Sequence, residues 1–356
     1  MKIKFLIASI FLLTFITISC EKEDTEPADE GYASGLVITN EGAFGNNNGS
    51  VSLYCRDSAK VTNNLFEKVN GRNPGDVVQS FGFEQDKGVI VVNNSQKIEI
   101  VDLETFESTG TITGLSYPRY FKGLGNGTGY LTNGNEEGEV YLLNLQQAEV
   151  TDTVEVGMGP EQMERSGDYV FVANSGGWDF DNTVSVININ DHSVEKEIEL
   201  GDVPYSVVSD ANENIWVLCR GKLVYDDSYT EIIEETNSKL VKINGSTLEV
   251  EETIVIGEKG DGFQPSFLTV CPSGMELYFD DIDGLYKMDT GANSQPSTPL
   301  IERGFSNVWI EPDTGDIFAL TIPDYSSAGQ LRIYDSEGRE VNTHDLGIGP
   351  NGLFFQ

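Results

Sequence analysis

Residues 74–114, PGDVVQSFGFEQDKGVIVVNNSQKIEIVDLETFESTGTITG, contain the pattern that decides the fold of this chain. A short apolar run follows Pro74, and after a polar turn a second apolar run ends in Asn93. A third run alternates apolar and polar residues up to Asp102, and a last run ends in Gly114. Alternation with a period of two indicates strands with one buried face, and Asn, Asp and Gly supply turn geometry. The stretch therefore predicts four short strands joined by turns.

The same order of strands and turns recurs about every 40 to 45 residues. Turn-like prolines mark most units, namely Pro74, Pro118, Pro160, Pro204, Pro265 and Pro350, and one further unit begins near Phe305 without a proline. Equivalent second strands are 89–93, 130–133 and 169–174; equivalent third strands are 98–102, 140–144 and 184–188; equivalent fourth strands are 110–114, 153–157 and 197–201. No long segment has a helical stripe. Four antiparallel strands in each repeat are typical of a β-propeller blade.

The two ends of the repeat region complement each other. Residues 351–355 (NGLFF) have the pattern of an innermost first strand, and residues 35–40 (GLVITN) have the pattern of a second strand. Pairing them makes one composite blade, because the first strand has no second strand after it and the second strand has no first strand before it. Six complete units and this shared one predict an all-β, seven-bladed propeller of four-stranded antiparallel blades, formed by residues 34–356 as a single domain.

The first residues have the layout of a secretory signal. Lys2 and Lys4 precede an apolar run from Phe5 to Ile18. As a helix this run would span about 21 Å at about 1.5 Å per residue, less than the bilayer core of about 30 Å. We therefore expect residues 1–19 to be a cleaved signal peptide, and a short anchor that stays attached is the alternative.

Residues 17–20 (TISC) resemble the lipobox of bacterial lipoproteins, with Thr17 where that motif usually has Leu. The resemblance implies cleavage before Cys20 and acylation of Cys20, which would hold the protein on a membrane. Residues 21–24 (EKED) are similar to the lipoprotein export signal of Bacteroidetes, which implies the outer face of the outer membrane. We expect residues 20–33 to form a lipidated acidic tether, and a plain disordered acidic linker is compatible with the same residues.

The net charge is -36, from 58 acidic and 22 basic residues. Such a negative field repels nucleic acid and anionic membrane surfaces. A neutral, cationic or metal-bearing ligand or a basic partner protein is tolerated, so contact with a membrane is expected through the lipid anchor only. Solubility alone is the alternative explanation of the acidity.

Motifs of catalytic chemistry are sparse. The two histidines, His192 and His344, have no zinc-ligand spacing, and the chain has neither a Gly-x-Ser-x-Gly elbow nor a phosphate-binding glycine loop. We therefore predict that the protein is not an enzyme and holds no cofactor. Calcium remains an open alternative at two oxygen-rich loops, residues 179–182 and 280–283, although neither follows the spaced calcium-loop pattern. Cys55, Cys219 and Cys271 are expected to be buried inert thiols.

Residues 130–133 (YLTN) and the VITN that ends at Asn40 resemble YVTN-type bacterial propellers. A longer pattern consists of Asn40-Glu41-Gly42, Gly71-Arg72, Gly75-Asp76-Val77, Gln79-Ser80, residues 92–95 (VNNS), Pro118-Arg119-Tyr120 and residues 215–219 (IWVLC). It is similar to surface lipoprotein propellers of Bacteroidetes that capture cobalamin beside an outer-membrane TonB-dependent transporter. The resemblance covers nearly the whole mature chain, and most of its motifs belong to the blade scaffold.

In a propeller, loops from fourth to first strands and from second to third strands emerge on one face around the channel. The first set includes Arg72, Asn73, Tyr117, Arg119, Tyr120, Gln162, Tyr205, Phe263 and Gln264, and the second includes Asn40, Glu41, Phe44, Asn47, Asn94, Asn135, Trp178, Phe180, Arg220, Tyr225 and Tyr325. Rings supply contact area and amides fix orientation, which suits a flat amphipathic ligand. The predicted ligand-binding residues are Tyr117, Arg119, Tyr120, Trp178, Tyr205 and Arg220. Polar loop tips and tyrosines that cap blade cores are the structural alternative.

Residues 222–239 form the longest insertion in the repeat, which is typical of a functional loop such as a lid or docking arm, or of a tolerated excursion. The leading hypothesis is a surface lipoprotein that captures a small nutrient, with cobalamin as the ligand that the resemblance implies, and passes it to a TonB-dependent transporter. One alternative is a protein–protein or matrix interaction module. Another is a polysaccharide-acting propeller enzyme that uses a carboxylate with a Tyr or Arg.

Overall fold

The computed structural model describes residues 32–257 and 259–356. From Tyr32 onward these residues belong to one compact unit. Seven antiparallel sheets form its blades, so the predicted seven-bladed propeller is confirmed. Blades are numbered 1 to 7 from the unit that follows Pro74, and blade 7 is the composite one. The predicted signal peptide, Cys20 and most of the tether lie outside the described residues.

The chain enters the ring in blade 7 and then builds blades 1 to 6 in order. A 3-10 helix (Tyr32–Ser34) is followed by three strands of blade 7, β1 (Leu36–Asn40), β2 (Ser50–Cys55) and β3 (Lys60–Thr62), and by a short helix, α1 (Leu65–Asn70). Blade 1 contains β4 (Val78–Glu84), β5 (Lys87–Val92), β6 (Lys97–Asp102) and β7 (Ser108–Thr113). Blade 2 contains β8 (Pro118–Gly123), β9 (Thr128–Asn133), β10 (Glu139–Asn144) and β11 (Glu149–Glu155). Blade 3 contains β12 (Pro160–Ser166), β13 (Tyr169–Asn174), β14 (Thr183–Asn188) and β15 (Val194–Glu199).

Blade 4 contains β16 (Pro204–Ser209), β17 (Ile215–Cys219), β20 (Ser238–Ile243) and β21 (Val250–Ile256), and a separate hairpin, β18 (Leu223–Tyr225) and β19 (Ile232–Glu235), occupies its insertion. Blade 5 contains β22 (Leu268–Val270), β23 (Glu276–Asp281) and β24 (Gly284–Asp289). Blade 6 contains β25 (Asn307–Ile310), β26 (Ile317–Thr321), β27 (Ala328–Tyr334) and β28 (Glu340–Ile348). The innermost strand of blade 7 is β29 (Pro350–Phe354).

Blade 5 differs from the four-stranded pattern. A single bridge between Leu285 and Ile301 stands where the other blades have a fourth strand. The segment between them contains Pro296 and Pro299, and proline lacks the N–H that a sheet ladder requires. The fourth strands also begin earlier than predicted: β7 begins at Ser108 rather than at Gly110, because its exposed residues carry no apolar alternation.

The ring closes as the sequence predicts. Strand β29 pairs antiparallel with β1, with Val37 opposite Phe354 and Ile38 opposite Leu353. The innermost strands contact one another in the order β4, β8, β12, β16, β22, β25, and both β25 and β4 contact β29. Both ends of the repeat region therefore share one blade, and this shared blade closes the ring.

The hydrophobic core lies between neighbouring blades. Seven apolar clusters occupy the seven interfaces, one for each pair of adjacent blades. Each fully buried Val, Leu or Ile contributes about 1.5–3 kcal/mol relative to an exposed one, so stability is distributed around the ring. Cys219 and Cys271 are buried and Cys55 is half-buried, all three as free thiols. Burial raises the pKa of Cys219 to about 12, which fits the predicted inert thiol.

Helical structure is minor. In α1, Leu65 and Phe66 are buried against the core between blades 7 and 1, and Gly71 ends the helix with a φ of +67°. Within residues 32–257 and 259–356 no helix has the length and apolar character needed to cross a membrane.

Candidate functional site

A β-bulge recurs where the inner strands begin. The register shifts between Val78 and Ser80 in β4, and equivalent shifts occur in β8, β12, β16 and the β29–β1 pair. A bulge leaves an extra residue outside the ladder and re-aims its side chain. The residues placed in this way include Gln79, Arg119, Glu161, Tyr205 and Asn351. Five neighbouring blades thus contribute one polar side chain each to the mouth of the channel.

Two of these five polar side chains, Arg119 and Glu161, form an ion pair between blades 2 and 3. Arg119 Nε donates to both carboxylate oxygens of Glu161, at 3.0 and 2.9 Å, and another guanidinium nitrogen donates to Gln79 Oε1. The side chains of Arg119 and Glu161 are only 14% and 7% exposed. Burial raises the pKa of Glu161 against the opposing effect of Arg119 and Arg220. Burial lowers the pKa of Arg119, but Glu161, Tyr205 and Tyr120 together raise it by more, so its net pKa is raised.

A cleft of about 300 Å³ lies above this pair, over blades 2, 3 and 4. Its lining residues are Tyr117, Arg119, Gly134, Glu161, Ser175, Gly177, Trp178, Asp179, Phe180, Val203, Tyr205, Arg220, Leu223 and Gln264. One wall is aromatic: the rings of Tyr117 and Trp178 have centroids 5.9 Å apart, and Trp178 is 77% exposed. Rings that are exposed at the edge of a cleft supply contact area to a ligand.

Arg220 supplies an unused donor to the cleft. Its guanidinium carbon lies 4.7 Å from the ring centroid of Tyr205, within cation–π range. Its Nε is buried and has no hydrogen-bond partner among the described residues. Because buried polar groups in folded proteins are nearly always hydrogen-bonded, this N–H of a cleft-lining residue requires an acceptor.

Hydrogen bonds hold the loop that carries Trp178, between β13 and β14, close to the connection between β11 and β12, and hold that connection close to the loop between β9 and β10. Gly159 N donates to Asn135 O, and Ser175 N donates to Gly159 O. A Cβ on Gly159 would overlap the backbone of Gly176 and Gly177, and Gly159 has a φ of +59°. Glycine is required there by both space and conformation.

The structure brings five of the six predicted binding residues around this cleft: Tyr117, Arg119, Trp178, Tyr205 and Arg220. Tyr120 lies instead in the channel beneath, where its hydroxyl is 3.5 Å from that of Tyr205 and accepts from Gln79 Nε2 at 3.4 Å. Phe180 and Gln264 of the wider predicted set also line the cleft, whereas Arg72 pairs with Glu99 in blade 1.

Glu161 is a site residue that the sequence analysis missed. The neighbouring Gln162 was predicted to face the ligand, but its Oε1 accepts from Ser206 Oγ at 2.7 Å and it lines the channel. That prediction placed Gln162 by its position in the connection between a fourth and a first strand, and the bulge in β12 re-aims the residues there. The usable signal was the position directly after the unit-initial proline, which is Arg119, Glu161, Tyr205 or Asn351 in four units.

Exposed aromatic residues are concentrated on the same face. The exposed aromatic side chains among the described residues are Phe44, Trp178, Tyr225, Tyr229 and Tyr325. Each lies in a connection between a second and a third strand, on blade 7, 3, 4, 4 and 6 respectively. This set, which we call the aromatic rim, lies on the predicted face, and Trp178 is its member in the cleft.

The two oxygen-rich loops that were considered for calcium contain carboxylates that already accept hydrogen bonds within the protein. Asp181 accepts from Met158 N and Thr183 N, and Asp281 accepts from Ile282 N and Gln295 Nε2. Outside Glu258 and the first 31 residues, no group of three His, Cys, Asp or Glu side chains converges as metal ligands would. The calcium alternative therefore receives no support from the geometry of these loops.

The histidines lie away from the cleft. His192 Nδ1 is 2.6 Å from the hydroxyl of Tyr130, and His344 packs edge-on against Tyr54 with ring centroids 5.5 Å apart.

Comparisons with known proteins give a family and a fold. The family described as "Domain of unknown function (DUF5074)" matches residues 34–349. A quinonprotein alcohol dehydrogenase-like protein from Bacteroides thetaiotaomicron VPI-5482 is similar in structure, with a TM-score of 0.65 and 13% identity over 92% of this chain and 79% of that chain. Hydrazine synthase of Kuenenia stuttgartiensis has a TM-score of 0.57 and 14% identity over 76% of this chain and 86% of that chain. At these identities the likeness shows the fold alone. No curated protein matches the chain.

Proposed function

This chain belongs to the family of the domain of unknown function DUF5074, and we propose that it is a ligand-binding propeller of the cell surface. In this proposal it captures a small amphipathic nutrient at the cleft above Arg119 and Glu161 and catalyses no reaction. A lipid on Cys20 holds it on the outer membrane, and a TonB-dependent transporter receives the ligand.

The observation that carries the proposal is the buried Nε of Arg220, which has no acceptor among the described residues. A donor left in this condition costs about 1–3 kcal/mol. A ligand carbonyl or ether oxygen in the cleft would recover that free energy. The aromatic wall of Tyr117 and Trp178 would cover the apolar part of the same ligand.

The charge of the protein narrows the ligand class. The net charge of -36 disfavours the binding of an anionic ligand. The Glu161 carboxylate beneath the cleft is already paired with Arg119. A neutral ligand with hydrogen-bond acceptors at its edge fits both conditions. A corrinoid is the first candidate, because the resemblance to cobalamin-capturing propellers implies it and its peripheral amides are such acceptors. It is larger than the cleft, so its edge would enter while the remainder lies against the aromatic rim.

Calorimetric titration of cyanocobalamin into the soluble chain lacking residues 1–20 tests this proposal. Arg220→Gln removes the unused donor and is expected to weaken binding at least about tenfold, or about 1.4 kcal/mol. Trp178→Ala is expected to weaken it by a similar factor through lost contact area. Arg165→Gln is the matched control, because Arg165 donates to the backbone oxygens of Gly167 and Leu124, away from the cleft.

Two results would contradict different parts of the proposal, the ligand and the site. If cyanocobalamin gives no saturable heat, the ligand identity is rejected. If it binds and Arg220→Gln binds equally well, the cleft is rejected as its site.

The proposed location and partner need a separate test. Full-length protein is expected in the outer-membrane fraction and accessible to protease on intact cells, and Cys20→Ala is expected to release it from membranes. Co-purification with a transporter barrel in detergent would support delivery. Cys20→Ala protein that remains membrane-bound would contradict lipid anchoring.

A second candidate function, a protein or matrix interaction module, is favoured by the aromatic rim. Phe44 and Tyr325 lie on blades 7 and 6, whereas the cleft lies over blades 2 to 4. The double variant Phe44→Ser, Tyr325→Ser is therefore expected to reduce partner binding while the affinity for a cleft ligand is kept. Loss of both together would argue for a single extended site.

A further inference from the structure

A second cavity, of about 580 Å³, lies between blades 5 and 6 and shares no lining residue with the cleft. Its lining includes Phe263, Asp280, Arg303, Phe305, Ile322 and Arg332. One wall, residues 303–306, follows the irregular segment that replaces the fourth strand of blade 5. Because blade 5 lacks a fourth strand next to this wall, space remains there that a fourth strand occupies in the other blades.

Arg332 brings a partly used guanidinium to this cavity. Its two terminal nitrogens donate to Glu340 Oε1 and to Gln330 Oε1, each at 2.7 Å. Its Nε is buried and has no partner among the described residues. Two fixed terminal nitrogens and one free N–H make a rigid donor toward a ligand oxygen.

Arg303 supplies the second guanidinium. It is exposed, and its side chain makes neither a salt bridge nor a hydrogen bond within the part of the chain that the structure describes. Both arginines lie close enough to Tyr334 to lower its pKa, although burial of that phenol outweighs them. An unpaired arginine stands out here, because acidic residues outnumber basic ones by 58 to 22.

Asp280 supplies the opposite charge. Its side chain is buried, and its Oδ1 accepts from Ser266 N at 2.7 Å and from Phe267 N at 3.2 Å. Both backbone donors reach Oδ1, which leaves Oδ2 free of them. Burial raises the pKa of Asp280 to about 6, against the effect of these donors and of the Ser266 side chain. Phe263, Phe305 and Ile322 provide the apolar part of the lining.

We propose that this cavity binds the zwitterion of an α-amino acid with an apolar side chain. The carboxylate would accept from Arg303 and from Arg332 Nε, the ammonium group would donate to Asp280, and the side chain would pack against Phe263 and Phe305. A zwitterion is favoured over a simple carboxylate because its net charge is zero and the field of -36 does not repel it. The proposal stands independently of the ligand of the cleft.

The test uses L-phenylalanine as the probe, titrated into the soluble chain at pH 7.5 and followed by calorimetry and ligand-observed NMR. Two matched compounds each lack one charge: L-phenylalaninamide has no carboxylate and 3-phenylpropanoate has no ammonium group. Each is expected to bind at least about tenfold more weakly than L-phenylalanine.

Two variants assign the binding to the cavity. Arg303→Gln is on the surface, and Asp280→Asn keeps an oxygen for the two backbone donors, so both are expected to fold, with circular dichroism as the check. Each is expected to weaken L-phenylalanine binding at least about tenfold, and Arg165→Gln is expected to leave it unchanged.

Three results would overturn the proposal. They are the absence of saturable L-phenylalanine binding up to about 10 mM, equal binding of 3-phenylpropanoate, and an Arg303→Gln protein with unchanged affinity.

Discussion

Arg119 and Glu161 face each other at the mouth of a channel where water barely reaches either charge. Bringing two charges out of water has a large desolvation cost, which their attraction repays only with good geometry and further hydrogen bonds. In this pair Arg119 Nε reaches both oxygens of Glu161, and Gln79 accepts a further hydrogen bond from the guanidinium. The pair therefore forms a fixed polar floor for the cleft.

Replacement of Glu161 by Gln is expected to lower the free energy of unfolding by about 3 kcal/mol, because it leaves a buried arginine without its counter-charge. Urea unfolding at pH 7, followed by circular dichroism, measures the loss. Glu164→Gln on the same strand is the control: its partner Lys122, at 2.7 Å, is part of a more exposed pair, for which less than about 1 kcal/mol is expected. Equal losses for the two variants would contradict this account.

Glu99 in blade 1 gives a pH-dependent prediction. Burial alone would raise its pKa, but hydrogen bonds from Arg72, Lys97 and Thr111 lower it from 4.5 to about 2. A carboxyl whose folded pKa is depressed stabilises the protein above its unfolded pKa, and the effect disappears as pH falls toward the folded pKa. Glu99→Gln should therefore lose about 3 kcal/mol at pH 7, and less than half of that at pH 3.

Parallel urea titrations at pH 7, 4.5 and 3 would check the Glu99 prediction. A deficit of the Glu99→Gln protein that does not shrink between pH 4.5 and pH 3 would show that the carboxylate is not responsible for it.

At the scale of elements, the bulges of the inner strands determine what reaches the channel mouth. In β12 the bulge presents Glu161 to the cleft and turns Gln162 toward Ser206. From the sequence, Gln162 rather than Glu161 was predicted to lie on the binding face. Hydrophobic periodicity locates a strand, but it does not locate the extra residue that shifts the register within it.

The closing strand is the element whose loss should matter most. Removal of residues 350–356 deletes β29, so that Leu353 and Phe354 no longer pack between blade 7 and its neighbours. The expected result is loss of cooperative thermal unfolding. The opened ring loses more stabilising free energy than the net stability of a typical domain, which is of order 10 kcal/mol. Removal of the exposed Gln356 alone is the control and should leave a normal transition. A cooperative transition in the protein without β29 would show that closure is dispensable.

For the whole molecule, the dominant long-range force is repulsion among carboxylates. Surface ion pairs such as Lys196–Glu249 contribute at most about 1 kcal/mol each and weaken with salt. The excess of 58 acidic over 22 basic residues acts in the opposite direction, because salt screens the repulsion. The net effect of salt should therefore be stabilisation.

The melting temperature is expected to rise by at least about 2 °C between about 10 mM and about 300 mM NaCl. Differential scanning calorimetry at fixed pH measures it, with sodium acetate at equal ionic strength as a check against specific chloride binding. A melting temperature that falls with salt would mean that the ion pairs outweigh the repulsion.

The repeat alone determined the propeller, its number of blades and its closure. Each four-stranded sheet has apolar faces, and seven such sheets arranged in a ring bury these faces against one another. The face that carries Tyr117, Trp178 and Arg220 also followed from the repeat, since strand direction dictates the side on which each loop emerges. The place of Glu161 and the cavity beside Arg332 depend on contacts between blades. Those contacts join residues distant in the chain, and only the tertiary structure decides which of them meet.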